Sequence, residues 1–223
     1  MEKNSSLYFI IGALVLGLGF LGFLAFAQKG QPTSFERDLI NIAEGIGLDG
    51  EKFFEDYKSD KVKNKVQDQI DYGNSIGVNA TPSAFINEEP IEISATYEEF
   101  RGVMQSQIDN ADELPITFSV FEDYQCPFCA NFFPIPYLVK AEFGEDVIVE
   151  HYNYPLDNIH PLARRYAYAV IAAEEQGKYY EMSRAIFEFE HDKEYPELDL
   201  LIEGSEPVDN STEEQAPVEN TSE

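Results

Sequence analysis

The pattern of apolar and polar positions predicts a helical first part for the chain. From Phe35 to about Ile76, apolar residues recur at spacings of three and four, which is typical of amphipathic helices. Short polar breaks divide this region into three helical pieces, and Ser34 stands where it could cap the first. We interpret the apolar stripes as core-facing rather than as binding surfaces.

The period of the pattern then changes. Residues 83–87 (SAFIN) and 91–94 (IEIS) are short strand candidates separated by Glu88-Glu89-Pro90, which predicts a hairpin. An amphipathic helix follows, with Thr96 as its N-cap and Glu99 in position for a capping box.

Strands and helices alternate from there to about residue 190. Residues 116–121 (ITFSVF) alternate as a strand does, a helix extends from the two cysteines to about Phe143, and residues 147–154 (VIVEHYNY) form another strand candidate. Two further helices, at 161–177 and 179–190, complete an α/β pattern.

The two ends of the chain differ from this body. Residues 7–27 contain no charge and are long enough to cross a bilayer, so we predict a membrane anchor over residues 1–30. Ala25-Phe26-Ala27 has the small-x-small pattern of a cleavage site, so a cleaved signal stays an alternative. Residues 201–223 are acidic and lack Lys and Arg, which predicts a disordered tail.

The formal charge of −27 excludes a nucleic-acid partner, because phosphate backbones are bound through clustered Lys and Arg. An apolar fraction of 43% supports a packed core. The net charge therefore limits the classes of possible partner, whereas the expected fold rests on the pattern of apolar and polar positions.

The only two cysteines of the sequence, Cys126 and Cys129, stand three positions apart in VFEDYQCPFCANFF. A zinc site would need two more ligands; His151 and His160 lack the short spacing of a second ligand pair, so we expect no metal. A disulfide that closes so small a loop removes little entropy from the unfolded chain. Incidental cysteines are the remaining alternative to a redox pair.

A redox pair fits the surroundings better. The strand leads into the motif and a helix begins there, so Cys126 is expected at a helix N-terminus, where N–H groups and the helix dipole stabilise a thiolate. Pro127 suits the first helical turn. Cys126 would be the attacking thiol and Cys129 the resolving thiol.

The segment EDYQCPFC resembles the active-site segment of DsbA-like thiol-disulfide oxidoreductases of the thioredoxin superfamily. The resemblance continues in YPLDNIHPLARRYAYAVIAAEEQGKYYEMSRAIFE, in AEGIGLDGEKFFED and in GVNATPSAFINEEPI, and it covers roughly residues 35–190. It implies a thioredoxin-like fold with an inserted helical subdomain. It also implies a cis-proline at Pro82, with Thr81 and Pro82 binding an extended substrate beside Pro127 and Phe128. No cofactor is implied.

Two positions depart from the family pattern. Family members commonly carry a buried acid six residues before the first cysteine, where this chain has Val120, and neither Glu122 nor Asp123 is assured of reaching Cys129. Phe128 stands where the strongest oxidants have His. We therefore expect a milder oxidant than DsbA, and we interpret His160 as a packing or helix-start residue.

The halves stand in reverse order, because Pro82 precedes Cys126. The simplest explanation is a circular permutation, and exchange of halves between two chains is the alternative. The expected domain spans residues 31–200, with part of the helical subdomain at 35–76, the cis-proline hairpin and helix at 77–109, and the Cys-x-x-Cys half at 114–190.

The resemblance and the anchor together predict a single-pass protein of the cell membrane with an extracytoplasmic catalytic domain. It would act on thiols of unfolded or cysteine-containing secreted proteins, favour disulfide formation, and exchange electrons with a redox partner protein. A reductase or isomerase, or a noncatalytic peptide-binding module, are the alternatives.

Overall fold

The computed structural model describes residues 31–94 and 96–202, which form a mixed α/β fold around a four-stranded sheet, consistent with a thioredoxin-like fold. The helices are α1 Ser34–Gly45, α2 Gly50–Lys58, α3 Asp60–Ser75, α4 Tyr97–Asp109, α5 Pro127–Phe132, α6 Pro134–Phe143, α7 Ala163–Glu174, α8 Tyr179–His191 and α9 Pro196–Ile202. The strands are β1 Ser83–Ile86, β2 Glu89–Ile91, β3 Ile116–Glu122 and β4 Val147–Asn153.

The described residues divide between Leu39 and Ile40, within α1, into two compact units. In the first, the start of α1 is capped by Thr33 rather than by the expected Ser34. The Glu36 amide donates to the Thr33 hydroxyl at 3.3 Å, and the Thr33 amide donates to the Glu36 carboxylate at 2.7 Å. This reciprocal capping box places Ser34 inside the helix.

Side-chain caps also start three helices of the second unit. Asp49 caps α2 and Ser59 caps α3, each by accepting from a backbone amide of the first turn. Thr96 caps α4 by accepting from the Glu99 amide at 3.4 Å, as the sequence predicted.

The strand order in the sheet is β2-β1-β3-β4. β1 is antiparallel to β2 and to β3, whereas β3 and β4 are parallel, with Val120 opposite His151. The predicted hairpin is present, but its turn is Asn87-Glu88, where both residues have positive φ, so Glu89 and Pro90 belong to β2.

The two faces of β3 have different coverings. Ile116, Phe118 and Val120 pack in an apolar cluster with residues of α4, α5 and α6. Phe121, on the opposite face, stacks on Tyr152 with ring centroids 4.9 Å apart. Because every second residue enters the same cluster, the strand fixes which side chains lie beneath the cysteine-bearing helix.

The early helices α2 and α3 pack on the late helix α7. Ion pairs join Lys65 to Glu174 at 2.9 Å and Lys61 to Glu175, and the Gln176 side chain bonds the backbone of Asp49. Segments far apart in sequence therefore form one helical layer.

The helix predicted from the cysteines to Phe143 is interrupted. It consists of α5 and α6, which meet at Phe133, because Pro134 has no amide hydrogen to continue the hydrogen-bond ladder. Pro134 begins α6, in the first turn, where proline is tolerated.

Within residues 31–94 and 96–202, no helix is long and apolar enough to cross a membrane. The predicted anchor (7–27) and the predicted tail (201–223, apart from the last two residues of α9) lie outside the described residues.

Candidate active site

Cys126 caps α5 and Pro127 is its first residue, as the sequence predicted. The Cys126 amide donates to the Asp123 carbonyl at 3.0 Å, which turns the chain from β3 into the helix. Cys126 is 4% exposed and Cys129 is fully buried, and both are free thiols in this structure. Both cysteines therefore lie at the start of α5, and only Cys126 keeps a small exposed surface.

The loop that precedes β1 meets Cys126, although 45 residues separate the two in sequence. The Cys126 sulfur lies 3.3 Å from the Thr81 carbonyl oxygen, to which it donates when protonated, and the Thr81–Pro82 peptide is cis. The Thr81 hydroxyl is buried, and it has no hydrogen-bond partner among the described residues. Beside this contact, Phe128 is 70% exposed. The structure thus brings Thr81 and Pro82 next to Cys126. Pro127 and Phe128 lie between the two cysteines at the start of α5.

The two thiols have opposite pKa shifts. The pKa of Cys126 falls to about 5 because the Cys129 thiol donates to its sulfur. The backbone amides of Cys129 and Phe128 act in the same direction, and together these donors outweigh the burial that favours the neutral thiol. Burial is the first cause that raises the pKa of Cys129, and the neighbouring Cys126 adds to it. At neutral pH the pair is one thiolate and one thiol.

Val120, at the position where the resemblance implies a buried acid, lies in the apolar cluster. A carboxylate nevertheless lies on the same face of β3, two residues later. Glu122 is buried, its Oε2 lies 3.1 Å from Nδ1 of His151, and its negative charge contributes to the raised pKa of Cys129. Its Oε1 has no hydrogen-bond partner among the described residues.

Asp123, the next residue, is also buried but has a different role. Its carboxylate accepts from the amides of Gln125 at 2.8 Å and Leu156 at 2.7 Å, and it lies 2.8 Å from Nδ1 of His160. Its own amide donates to the Cys129 sulfur at 3.4 Å. His160 therefore holds the loop before α5 through Asp123, which agrees with its interpretation as a packing residue.

Gln125, the residue before Cys126, has its side chain hydrogen-bonded on two sides. The Gln125 amide group donates to Glu190 of α8 at 2.7 Å, and its carbonyl accepts from the Leu162 amide at 2.6 Å. The sequence did not indicate a role for Gln125 or the pairing of Glu122 with His151, because these partners lie far along the chain. The polar residues directly before the cysteines were the available signal.

In the described part of the chain, no group of three or more His, Cys, Asp or Glu side chains is arranged to hold a metal ion. His151 and His160 each face a carboxylate instead of the cysteines.

Comparison with known proteins bears on the part of the chain that precedes the cysteines. Residues 22–105 match the family model of the DSBA-like thioredoxin domain. The expected resemblance to the DsbA-like family is thereby confirmed. The DSBA-like match contains Thr81 and Pro82 and ends before Cys126, so the redox pair is assigned from the sequence motif and the geometry.

The chain is also similar to curated proteins named Na(+)/H(+) antiporter NhaA 1. It is 33% identical over 86 residues to those of Mycolicibacterium vanbaalenii and Mycolicibacterium gilvum, and 31% identical to that of Mycobacterium sp. strain KMS. Each match covers 39% of this chain and 14% of the relative. The chain thus spans a small part of these relatives.

Proposed function

We propose that this protein is a thiol-disulfide oxidoreductase that forms disulfides in other proteins through Cys126 and Cys129. One observation carries the proposal: Cys126, at the start of α5 and next to the cis Thr81–Pro82 peptide, has a pKa of about 5, and its neighbour Cys129 has a raised pKa. A nucleophile and a resolving thiol require this asymmetry.

The reaction begins with a disulfide between the two cysteines. A substrate thiolate attacks the Cys126 sulfur, a mixed disulfide forms, and Cys129 leaves as a thiolate that takes up a proton. A second substrate thiolate then attacks the substrate sulfur of the mixed disulfide and releases Cys126 as a thiolate. The substrate loses two electrons and becomes a disulfide, and the enzyme gains them as a dithiol.

The direction follows from the stability of the leaving group. A thiolate that is stabilised in the reduced protein makes the disulfide form oxidising. A pKa of about 5 for Cys126 is higher than the value of about 3.5 for DsbA, which supports a milder oxidant. We expect a reduction potential below about −120 mV, the DsbA value; a potential at or above it would contradict this expectation.

The contact between Cys126 and Thr81 supports substrate binding at the Thr81-Pro82 loop. An extended substrate would pair with this backbone and place its cysteine at Cys126, with the exposed Phe128 beside it. With Val120 in the place of an acid, Glu122, whose charge acts on Cys129, would take up and return the Cys129 proton together with His151.

The cellular setting is part of the proposal. The uncharged stretch at residues 7–27 supports a single-pass membrane anchor with the redox domain outside the cytoplasm, where disulfides persist. Secreted proteins would be the substrates, and a second redox protein would reoxidise the pair.

The packing of α2 and α3 on α7 within one chain supports a circular permutation. Size-exclusion chromatography with light scattering on the active protein tests it, because exchange of halves requires a dimer.

Refolding of a reduced, disulfide-containing protein tests the function. We expect wild-type protein to accelerate disulfide formation, Cys126→Ser to abolish it, and Cys129→Ser to accumulate mixed disulfides. If the protein reduces insulin faster than it oxidises thiols, the result would favour a disulfide reductase. If it rearranges scrambled disulfides, the result would favour a disulfide isomerase. Peptide binding that survives in Cys126→Ser, without any exchange activity in the wild type, would favour the binding module.

A further inference from the structure

A short segment near the C-terminal end contacts both flanks of the cysteine pair. We call residues 190–195 the C-terminal clamp; five of its six residues lie beyond the range that resembles the family. Before the pair, Glu190 accepts from the Gln125 side chain at 2.7 Å, and Nε2 of His191 lies 2.8 Å from the Tyr124 carbonyl.

The same segment contacts α5 after the pair. The Lys193 ammonium donates to the Asn131 side chain at 2.6 Å, and the Tyr195 hydroxyl donates to the Ala130 carbonyl at 2.8 Å. Tyr195 is fully buried, and its ring lies 5.0 Å from that of Phe133.

The Ala130 carbonyl has no backbone donor within its own helix. In an α-helix it would accept from the amide of the residue four positions later, which is Pro134 and has no amide hydrogen. A buried carbonyl without a partner is unfavourable, so the Tyr195 hydroxyl replaces the missing donor.

The position of Ala130 is coupled to the thiolate. The Ala130 amide donates to the Cys126 carbonyl at 3.1 Å, and the amides of Phe128 and Cys129 in the same turn stabilise the Cys126 sulfur. A shift of Ala130 therefore changes how these donors face the sulfur.

We propose that Tyr195 is a positioning residue for the redox pair, acting through the Ala130 carbonyl to hold the first turn of α5 against the Cys126 sulfur. The proposal rests on the proposed function for its biological meaning, but the thiol itself reports on it. Neither the family match nor the Cys-x-x-Cys motif points to Tyr195.

The experiment follows the ultraviolet absorbance of the thiolate with pH in the full chain, and the equilibrium of the pair with glutathione. We expect Tyr195→Phe to raise the pKa of Cys126 and to lower the equilibrium constant for reduction of its disulfide by about threefold or more. Tyr97→Phe is the control, because that hydroxyl also bonds α6, at the Glu142 carboxylate and near the Leu138 carbonyl, away from the pair, and its loss should leave both quantities unchanged.

A rescue separates positioning from general stability. Pro134→Ala supplies the amide that proline lacks, so the double variant Pro134→Ala/Tyr195→Phe should recover the wild-type titration and equilibrium. If Tyr195→Phe does not fold alone, the double variant is measured instead.

A folded Tyr195→Phe with wild-type titration and equilibrium would overturn the proposal, and so would a double variant that fails to restore them or fails to fold. The refolding activity of the wild type is measured on the same preparation. Its absence would contradict the proposed function, whereas the titration would still decide the role of Tyr195.

Discussion

Glu122 and Asp123 are adjacent in sequence and both are buried, yet their carboxylates differ in how fully they are hydrogen-bonded. Asp123 has two backbone amides and His160 around one carboxylate, while Glu122 has His151 on one oxygen and no described partner on the other. A saturated carboxylate holds structure in place, whereas an undersaturated one has an oxygen left to accept a further hydrogen bond. The difference teaches that burial alone does not identify a functional acid.

Replacing the saturated carboxylate should have the largest effect on stability. Asp123→Asn puts an amide group where one of the three donors now points, and we expect a loss of about 3 kcal/mol in the free energy of unfolding, measured with denaturant. Asp157→Asn, which removes a partly exposed partner of Arg164, is the control. A loss below about 1 kcal/mol would mean that Asp123 does not fix the loop.

Replacing the undersaturated carboxylate should instead affect chemistry. Glu122→Gln keeps the shape, and we expect the rate of mixed-disulfide resolution by Cys129 to fall roughly 100-fold, with a smaller effect on stability. Rapid-quench kinetics measure the rate. Glu150→Gln, on β4 and bonded to Ser119 and Tyr152, is the matched control. Equal rates in both variants would remove Glu122 from the proton pathway.

The pH dependence of stability isolates the thiolate from the two carboxylates. The pKa of Cys126 is about 5 in the folded protein and about 8.5 in an unfolded chain, so between these values the unfolded state binds more protons. The stabilisation is complete above the unfolded value and is lost as the pH falls through the folded value.

We therefore expect the reduced protein to lose about 2 kcal/mol between about pH 7 and about pH 4, relative to Cys126→Ser. Denaturant unfolding of both proteins at each pH measures this difference, and contributions of the carboxylates cancel in it. Parallel stability curves would contradict the lowered pKa.

The smallest effect should come from His160. Its side chain is 19% exposed, and Asp123 keeps two backbone donors without it. We expect His160→Gln to cost about 1 kcal/mol and to leave the thiol titration unchanged. A changed thiol titration would show that the Asp123 site and the redox pair are electrostatically coupled. Asp123 would then differ less from Glu122 than their hydrogen bonds indicate.

The local part of the site could be predicted from the sequence, because strand alternation, Pro127 and the cysteine spacing are all short-range signals. The helix break at Phe133 could also have been expected, since Pro134 and Pro136 are visible in the sequence. The hairpin turn was placed one residue late. Its two residues, Asn87 and Glu88, have positive φ, but they are not the Asn-Gly pair that usually marks such a turn in a sequence.

The long-range part could not be predicted. The pairing of Glu122 with His151 depends on the parallel register of β3 and β4, which sets Val120 opposite His151. A single sequence contains no direct information on that register. Likewise, the contact of Tyr195 with Ala130 depends on how the chain turns after α8, at Asp192 in the left-handed conformation.

The position of Tyr195 also bears on biosynthesis. The chain emerges from the ribosome N-terminus first, so Thr81 is made before the cysteines, and Tyr195 follows Ala130 by 65 residues. The contact between them cannot form until Tyr195 has been synthesised. We therefore expect the nascent cysteines to behave as ordinary thiols and to acquire their reactivity only when almost all of the domain has been synthesised.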